Sequence, residues 1–147
     1  MIRPATPADA PAITRLLADF DAASGARVDA PGESFAAAHV ARGVAARIAH
    51  RLGLVLVLDL GAGPVGVLVA EAGAGLWRPA LWADELAFWI DPAARGPWAD
   101  RFLAAYEAWA RDLGARLVGL SSLGPRAEQL YTRRGYEPAD RKFVKVI

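Results

Sequence analysis

The chain has 147 residues, 54% hydrophobic and 22% charged, with seventeen basic and sixteen acidic side chains for a net charge of +1. That size suits one domain spanning residues 1–147 with an unaided core, and the composition excludes a disordered chain, while the even charge balance gives no sign of the concentrated basic face of a nucleic-acid binder. Lack of cysteine excludes disulfides, thiolate nucleophiles and cysteine-ligated metals, and no apolar run reaches the ~20 residues of a membrane helix.

Ile2–Ala5 reads as a short extended segment, and Met1–Ala10 lacks the basic-then-apolar order of a signal peptide, so a cytoplasmic protein is expected. Thr6-Pro7-Ala8-Asp9 is a helix start: Thr6 can cap, Pro7 suits the first helical position, and Asp9 can answer as in a capping box. Ile13, Leu16, Leu17 and Phe20 follow at i, i+3, i+4 and i+7. Gly25, Pro31 and Gly32 make a loop of Ser24–Glu33. A second helix is predicted from Ser34 to about Arg51 on the spacing of Val40, Val44 and Ile48.

The period then changes. Leu54–Leu60 and Val65–Glu71 are dense Val/Leu runs around Gly61-Ala62-Gly63-Pro64, an antiparallel hairpin buried on both faces, with Gly66 marking a bulge or a close backbone approach. After a loop over Gly73–Ala80, Leu81–Ile90 is a third strand ended by Asp91-Pro92. Phe102, Tyr106, Trp109 and Leu113 define a helix over Ala99–Leu113, stopped by Gly114, and Ala115–Leu120 is a strand completing a βαβ crossover. Pro125–Arg134 is a last helix ended by Gly135, and Arg141–Val146 alternates like a closing strand. Arg126, Arg133, Arg134, Arg141 and Lys142 read as a solvated face near that helix end. One mixed sheet with helices on its faces accounts for these elements.

His39 and His50, eleven residues apart on one predicted helix, have no ligand pattern around them, so no metal is expected; phosphate-loop and nucleophile-elbow motifs are absent. The informative place is the turn between Leu81–Ile90 and Ala99–Leu113, where Arg95-Gly96 feeds a helix N-terminus of the kind that takes anions.

Three stretches carry a resemblance. Ile2-Arg3-Pro4-Ala5-Thr6-Pro7-Ala8-Asp9, Glu85-Leu86-Ala87-Phe88-Trp89-Ile90-Asp91-Pro92-Ala93-Ala94-Arg95-Gly96 and, most specifically, Ala127-Glu128-Gln129-Leu130-Tyr131-Thr132-Arg133-Arg134-Gly135-Tyr136 are similar to the first strand, the cofactor strand and the A-x-x-L-Y-x-x-x-G-[FY] ending of the GNAT superfamily of acetyl-CoA-dependent N-acyltransferases. The resemblance implies an α/β fold with a mixed, mostly antiparallel sheet, helices on both faces and a βαβ cofactor unit. It implies acetyl-CoA as cosubstrate, a small-molecule or peptide amine as acceptor, and a homodimer as one option for assembly.

It also implies roles for residues. Trp89, Ile90, Arg95, Gly96, Trp98, Ala99, Asp100 and Arg101 would meet the cofactor, its pantetheine arm lying between splayed strands Leu81–Ile90 and Ala115–Leu120. Glu85 would be the general base for the amine and Tyr131 the proton donor to the leaving thiolate. By strand alternation Glu85 shares a face with Ala87 and Trp89, with Leu86, Phe88 and Ile90 on the other. A strand-end carboxylate and a core tyrosine remain alternative readings of these two residues. Trp77, Trp82, Trp89 and Trp98 crowd the same unit, as an acceptor pocket, core packing or a dimer contact.

The cofactor loop departs from the family's pattern. In Arg95-Gly96-Pro97-Trp98-Ala99-Asp100, Trp98 and Asp100 stand at the second and third glycines, Pro97 deletes a donor, and Gly124 replaces the asparagine that often precedes the last motif. Arg101 is the expected compensation for the Asp100 charge, and Ser121 and Ser122 offer hydroxyls nearby. These departures motivate a second functional reading, a GNAT-like domain that binds a ligand or partner without catalysis. Nucleic-acid association through Arg126–Lys142 is a third, for which no binding is expected.

Overall fold

The structure, a computed structural model, describes residues 1–24, 34–76, 79–139 and 145. The chain opens with β1 (Ile2–Pro4) and a 3-10 turn over Pro7–Asp9 that leads into α1 (Ala10–Ser24). The Asp9 carboxylate accepts from the Thr6 N–H at 2.7 Å and the Thr6 hydroxyl at 2.9 Å. It also takes both guanidinium nitrogens of Arg3 at 2.8 Å, and Arg3 reaches Asp59 at 3.2 Å. Asp9 is therefore buried but fully partnered, and the Arg3 guanidinium holds its carboxyl well below the usual carboxylate range. A depressed folded pKa stabilises the fold above about pH 4 and loses that contribution as pH falls. Asp9→Asn is accordingly expected to cost about 2 kcal/mol at pH 7, with the difference from the parent shrinking in acid. Equal denaturation midpoints at pH 7 would show that this cluster does not hold the first turn.

α1 buries Ile13, Leu16 and Leu17, and α2 (Ala37–Ala49) buries Val44, with Phe20, Val40 and Ile48 packed beside them. α2 is shorter than the predicted Ser34–Arg51. It stops where β2 (Gly53–Asp59) must turn back against it, because a Cβ at Gly53 would lie 2.7 Å from Arg47 Cα and 2.9 Å from its carbonyl carbon. Only glycine lets the strand pass that close to the helix backbone.

β2 pairs antiparallel with β3 (Pro64–Ala74) across a turn in which Gly61 and Gly63 have φ of 105° and 100°. β3 runs past the predicted Glu71, because Ala72, Gly73 and Ala74 continue the ladder to Ala83, Trp82 and Leu81 of β4 (Leu81–Ile90). The hairpin is buried on both faces, as its composition implies. Leu54, Leu56 and Leu58 face α3 (Trp98–Asp112), whereas Val55 and Val57 face α1 and α2. At Gly66 the bulge reading holds, since the register shifts at its partner Leu58; what approaches closely is not a second backbone but side chains, and an added Cβ would lie 3.3 Å from Leu58, Ile90 and Phe102 side-chain atoms.

Past Gly114, which has φ of 78°, β5 (Leu117–Gly119) pairs parallel with β4, and α4 (Pro125–Arg133) ends before Gly135 at φ of 88°. The sheet order is β1-β2-β3-β4-β5, antiparallel except for its last pair, with α1 and α2 on one face and α3 on the other. This is the expected α/β class. β5 is half the predicted Ala115–Leu120, for a reason that belongs to the site. Of the predicted loop Ser24–Glu33, Ser24 is instead the last residue of α1, and the rest, together with Trp77, Arg141 and Lys142, lies outside the described residues, as does all of the predicted closing strand except Lys145. Among the described residues no helix is long and apolar enough to cross a membrane.

Candidate active site

β4 and β5 pair over only three residues, Trp82–Leu117, Ala83–Val118 and Asp84–Gly119, and then separate. The separation begins at a β-bulge. On the β3 side Ala70 pairs with Glu85 and Val69 with Ala87, so Leu86 has no partner of its own. An extra residue of this kind bends the strand and re-aims its neighbours. It also reverses the alternation. Cross-strand partners share a face, and Ala70 belongs to the α3 side, so Glu85 lies there with Ala83. Ala87 and Trp89 lie on the α1 side. The expectation that Glu85 shares a face with Ala87 and Trp89 is thus corrected, while Phe88 and Ile90 do take the α3 face.

Tyr106 of α3, wholly buried, sits at the fork. Its hydroxyl lies 2.7 Å from the Ala83 carbonyl and 3.0 Å from that of Gly119, so one phenolic proton serves both strands at their last paired rungs.

Just beyond the fork, Glu85 is 9% exposed and accepts one hydrogen bond, from the Ser121 N–H at 3.1 Å. Burial pushes its carboxyl up to about 7, the Ser121 N–H opposes that rise, and the Asp84 charge adds to it. Tyr131 of α4 donates to the carbonyl of the same Ser121 at 3.2 Å. Burial, and then the Glu85 charge, push its phenol up to about 12, so it stays protonated near neutrality. The two predicted catalytic residues, 46 positions apart in sequence, are brought together by the backbone of one residue. The sequence offers Ser121 for its hydroxyl, but its amide and carbonyl make these contacts.

Glu85 and Tyr131 line one open cleft of about 1130 Å³ that runs from the fork between the α3 N-terminus and α4. Of the eight residues expected at a cofactor, Trp89, Ile90, Arg95, Gly96, Ala99 and Asp100 line it. Trp98 packs on the core instead, with the Arg101 guanidinium 4.8 Å from its ring, and neither lines the cleft. The expected partner of Asp100 is also corrected. Arg134 pairs with Asp100 at 2.6 Å and holds Glu107 through two nitrogens at 2.7 and 2.9 Å, while Tyr136 donates to Glu107 at 3.0 Å. Arg134, read from sequence as part of a solvated face, is a clamp between α3 and α4. The sequence offered one signal for it, its place beside the glycine that ends the last helix.

The opposite wall is apolar. Phe20 from α1, Leu86 and Trp89 line the cleft beside Glu85, with the Arg95 guanidinium 4.9 Å from the Trp89 ring and its Nε donating to the Ile90 carbonyl at 3.1 Å. The Trp89 Nε1 is buried and unpartnered among the described residues. Trp82 lies on the outer surface, 46% exposed. Among the described residues no three His, Cys, Asp or Glu side chains come together to hold a metal.

No protein-family model matches the sequence, and no curated protein matches it. Solved structures do resemble it. A transcriptional regulator from Bacillus halodurans C-125 superposes with a TM-score of 0.80 at 20% identity, covering 100% of this chain and 99% of that one. A GNAT family acetyltransferase from Staphylococcus aureus gives 0.71 at 19% identity, covering 100% and 98%. The aminoglycoside acetyltransferase HMB0005 from an uncultured soil metagenomic sample gives 0.73 at 17%, covering 100% and 97%. Further matches are also described as acetyltransferases. The strands that part at a bulge therefore sit within a shared architecture: the chain has the fold of the GNAT acetyltransferases.

Proposed function

We propose that the protein is an N-acetyltransferase that moves an acetyl group from acetyl-CoA to a primary amine by direct attack. The observation that carries this reading is the Glu85 carboxyl, buried at the fork of β4 and β5 and pushed up to about 7, with Tyr131 tied to the same Ser121 backbone. A carboxyl of that pKa suits a general base working near neutral pH. Glu85 would take the proton an ammonium must lose before its nitrogen can attack. Tyr131 would hold its proton at Oη, available to a leaving group at the mouth of the gap.

The residues present fit the cosubstrate unevenly. The parted strands leave a slot open on the β5 side of Glu85–Ile90, of a shape to admit an extended pantetheine arm, and Ile90, Gly96 and Ala99 continue the wall. The loop fits less well, since Pro97 has no N–H and Asp100 brings a carboxylate. When bound, acetyl-CoA supplies an activated acetyl thioester. No cysteine is needed for direct transfer, in agreement with a chain that has none.

Calorimetric titration with acetyl-CoA, followed by thiol release in the presence of a panel of primary amines, tests the reading. Binding and amine-dependent, saturable thiol release are expected. A protein that binds no acetyl-CoA would remove this reading and favour the second, a ligand- or partner-binding domain without catalysis. The loop Arg95–Asp100 is what speaks for that second reading.

A further inference from the structure

The α3 N-terminus is poorly furnished for phosphate. Pro97 lacks a donor, Trp98 turns onto the core, and the carboxylate of Asp100 stands 59% exposed in the first turn. Arg134 does not convert this corner into an anion site, because its single positive charge already serves both Asp100 and Glu107.

The facing wall has the opposite character. Arg126 and Arg133 lie seven residues apart on α4, which puts them on one face about 10 Å apart along the axis. Both are exposed, both line the cleft, and neither has an ion-pair or hydrogen-bond partner among the described residues. The nearby acid on that helix, Glu128, accepts from the Ser122 hydroxyl at 3.1 Å. Arg95 adds a third guanidinium across the cleft, held over Trp89. Against these cations the cleft sets two carboxylates, Glu85 at its inner end and Asp100 at the loop. Planar guanidinium groups bind phosphate through paired, charge-assisted hydrogen bonds and need no glycine-rich backbone.

We propose that the phosphates of a coenzyme A thioester are held in this protein by the guanidinium groups of Arg126 and Arg133, with Arg95 opposite, in place of the backbone amides at the α3 N-terminus. This rests on the transferase reading for its ligand, but not for its chemistry. It explains how the loop can lose two glycines and a donor without closing the cleft to a polyanion. It also assigns a use to arginines that sequence alone places on a merely solvated face.

The test is calorimetry on the parent, Arg126→Ala, Arg133→Ala and the double variant, at low and high salt, with acetyl-CoA and with adenosine 3′,5′-bisphosphate. Arg111→Ala, an exposed change away from the cleft, is the control, and thermal melts check folding. Each single change should weaken acetyl-CoA binding about tenfold or more, the double change more so. The double variant should also lose most of the salt dependence and fail to bind the bisphosphate, while the control behaves as the parent. Equal acetyl-CoA affinity in parent and double variant would overturn the proposal and return the phosphates to the Trp98–Asp100 turn. Arginine-dependent binding of the bisphosphate without acetyl-CoA binding would uphold the phosphate site and remove the transferase reading. Binding of neither ligand would remove both.

Discussion

Replacing Glu85 with glutamine is expected to do two opposite things at pH 8: it raises the unfolding temperature and removes most of the acetyl transfer. The carboxyl is pushed from its ordinary 4.5 up to about 7 by burial. An acid whose folded pKa is raised keeps its proton in the native state after the unfolded chain has lost it. Stability therefore falls as pH rises from about 4.5 to 7 and stays low above that. A shift of that size corresponds to a cost on the order of 3 kcal/mol for the buried anion at pH 8. Glutamine can still accept the Ser121 N–H but is never charged. The variant should melt higher than the parent at pH 8 and alongside it at pH 4. Its kcat/KM should fall by about 10²–10⁴, and the rise in parental kcat/KM through about pH 7 should disappear. A variant that melts with the parent at both pH values would show that the anion is not under strain; unchanged kcat/KM at pH 8 would remove Glu85 as the base.

The second large effect lies in the core. Phe102 is wholly buried where α3 crosses β3 and β4, with its ring 5.3 Å from that of Phe88, edge to face. Phe102→Ala should cost about 3–5 kcal/mol, the range for a buried aromatic truncated to a methyl. Gly66→Ala alone should cost about 1 kcal/mol or more, since its Cβ would press on Phe102, Ile90 and Leu58 at 3.3 Å each. Combined, the two should cost less than their sum, because removing the ring clears one of the three neighbours and leaves space for the new methyl. Denaturant titrations of the four proteins measure this coupling. Strict additivity would mean that Gly66 is constrained by the strand register alone.

Periodicity made most of this fold legible. The stripe Ile13, Leu16, Leu17, Phe20 and the face Phe102, Tyr106, Trp109 each follow one helix side, and the Val/Leu runs needed no long-range information. Of the site, only the pair Glu85 and Tyr131, which the family resemblance names and the Ser121 backbone ties together, was legible. The bulge at Leu86 was not, because it is set by how Val69 and Ala70 pair across the sheet, and nothing in Glu85-Leu86-Ala87 marks an extra residue. With it went the face of Glu85 and the source of its burial. The Arg134 clamp was hidden for a similar reason: Asp100 and Glu107 are 34 and 27 residues away. Adjacency in sequence suggests Arg101 as the partner of Asp100, but one step along a helix turns a side chain by about 100°, away from its neighbour.

The fork of β4 and β5 also divides the molecule by strength of attachment. β2 and β3 are joined by a long ladder buried on both faces and β3 is joined to β4 by nine paired residues, whereas β5 is joined to β4 by three paired residues and the shared proton of Tyr106. Segments held by so few buried bonds open locally at a fraction of the global unfolding cost. The cleft is thus bounded by one wall seated in the long ladders, carrying Glu85 and Trp89, and by another, carrying Tyr131, Arg126 and Arg133, that is fastened by the short seam and by the Arg134 clamp to Glu107 and Asp100. A ligand that touches both walls adds its own binding energy to the weaker seam, and so tightens the attachment of β5 and α4 in one step.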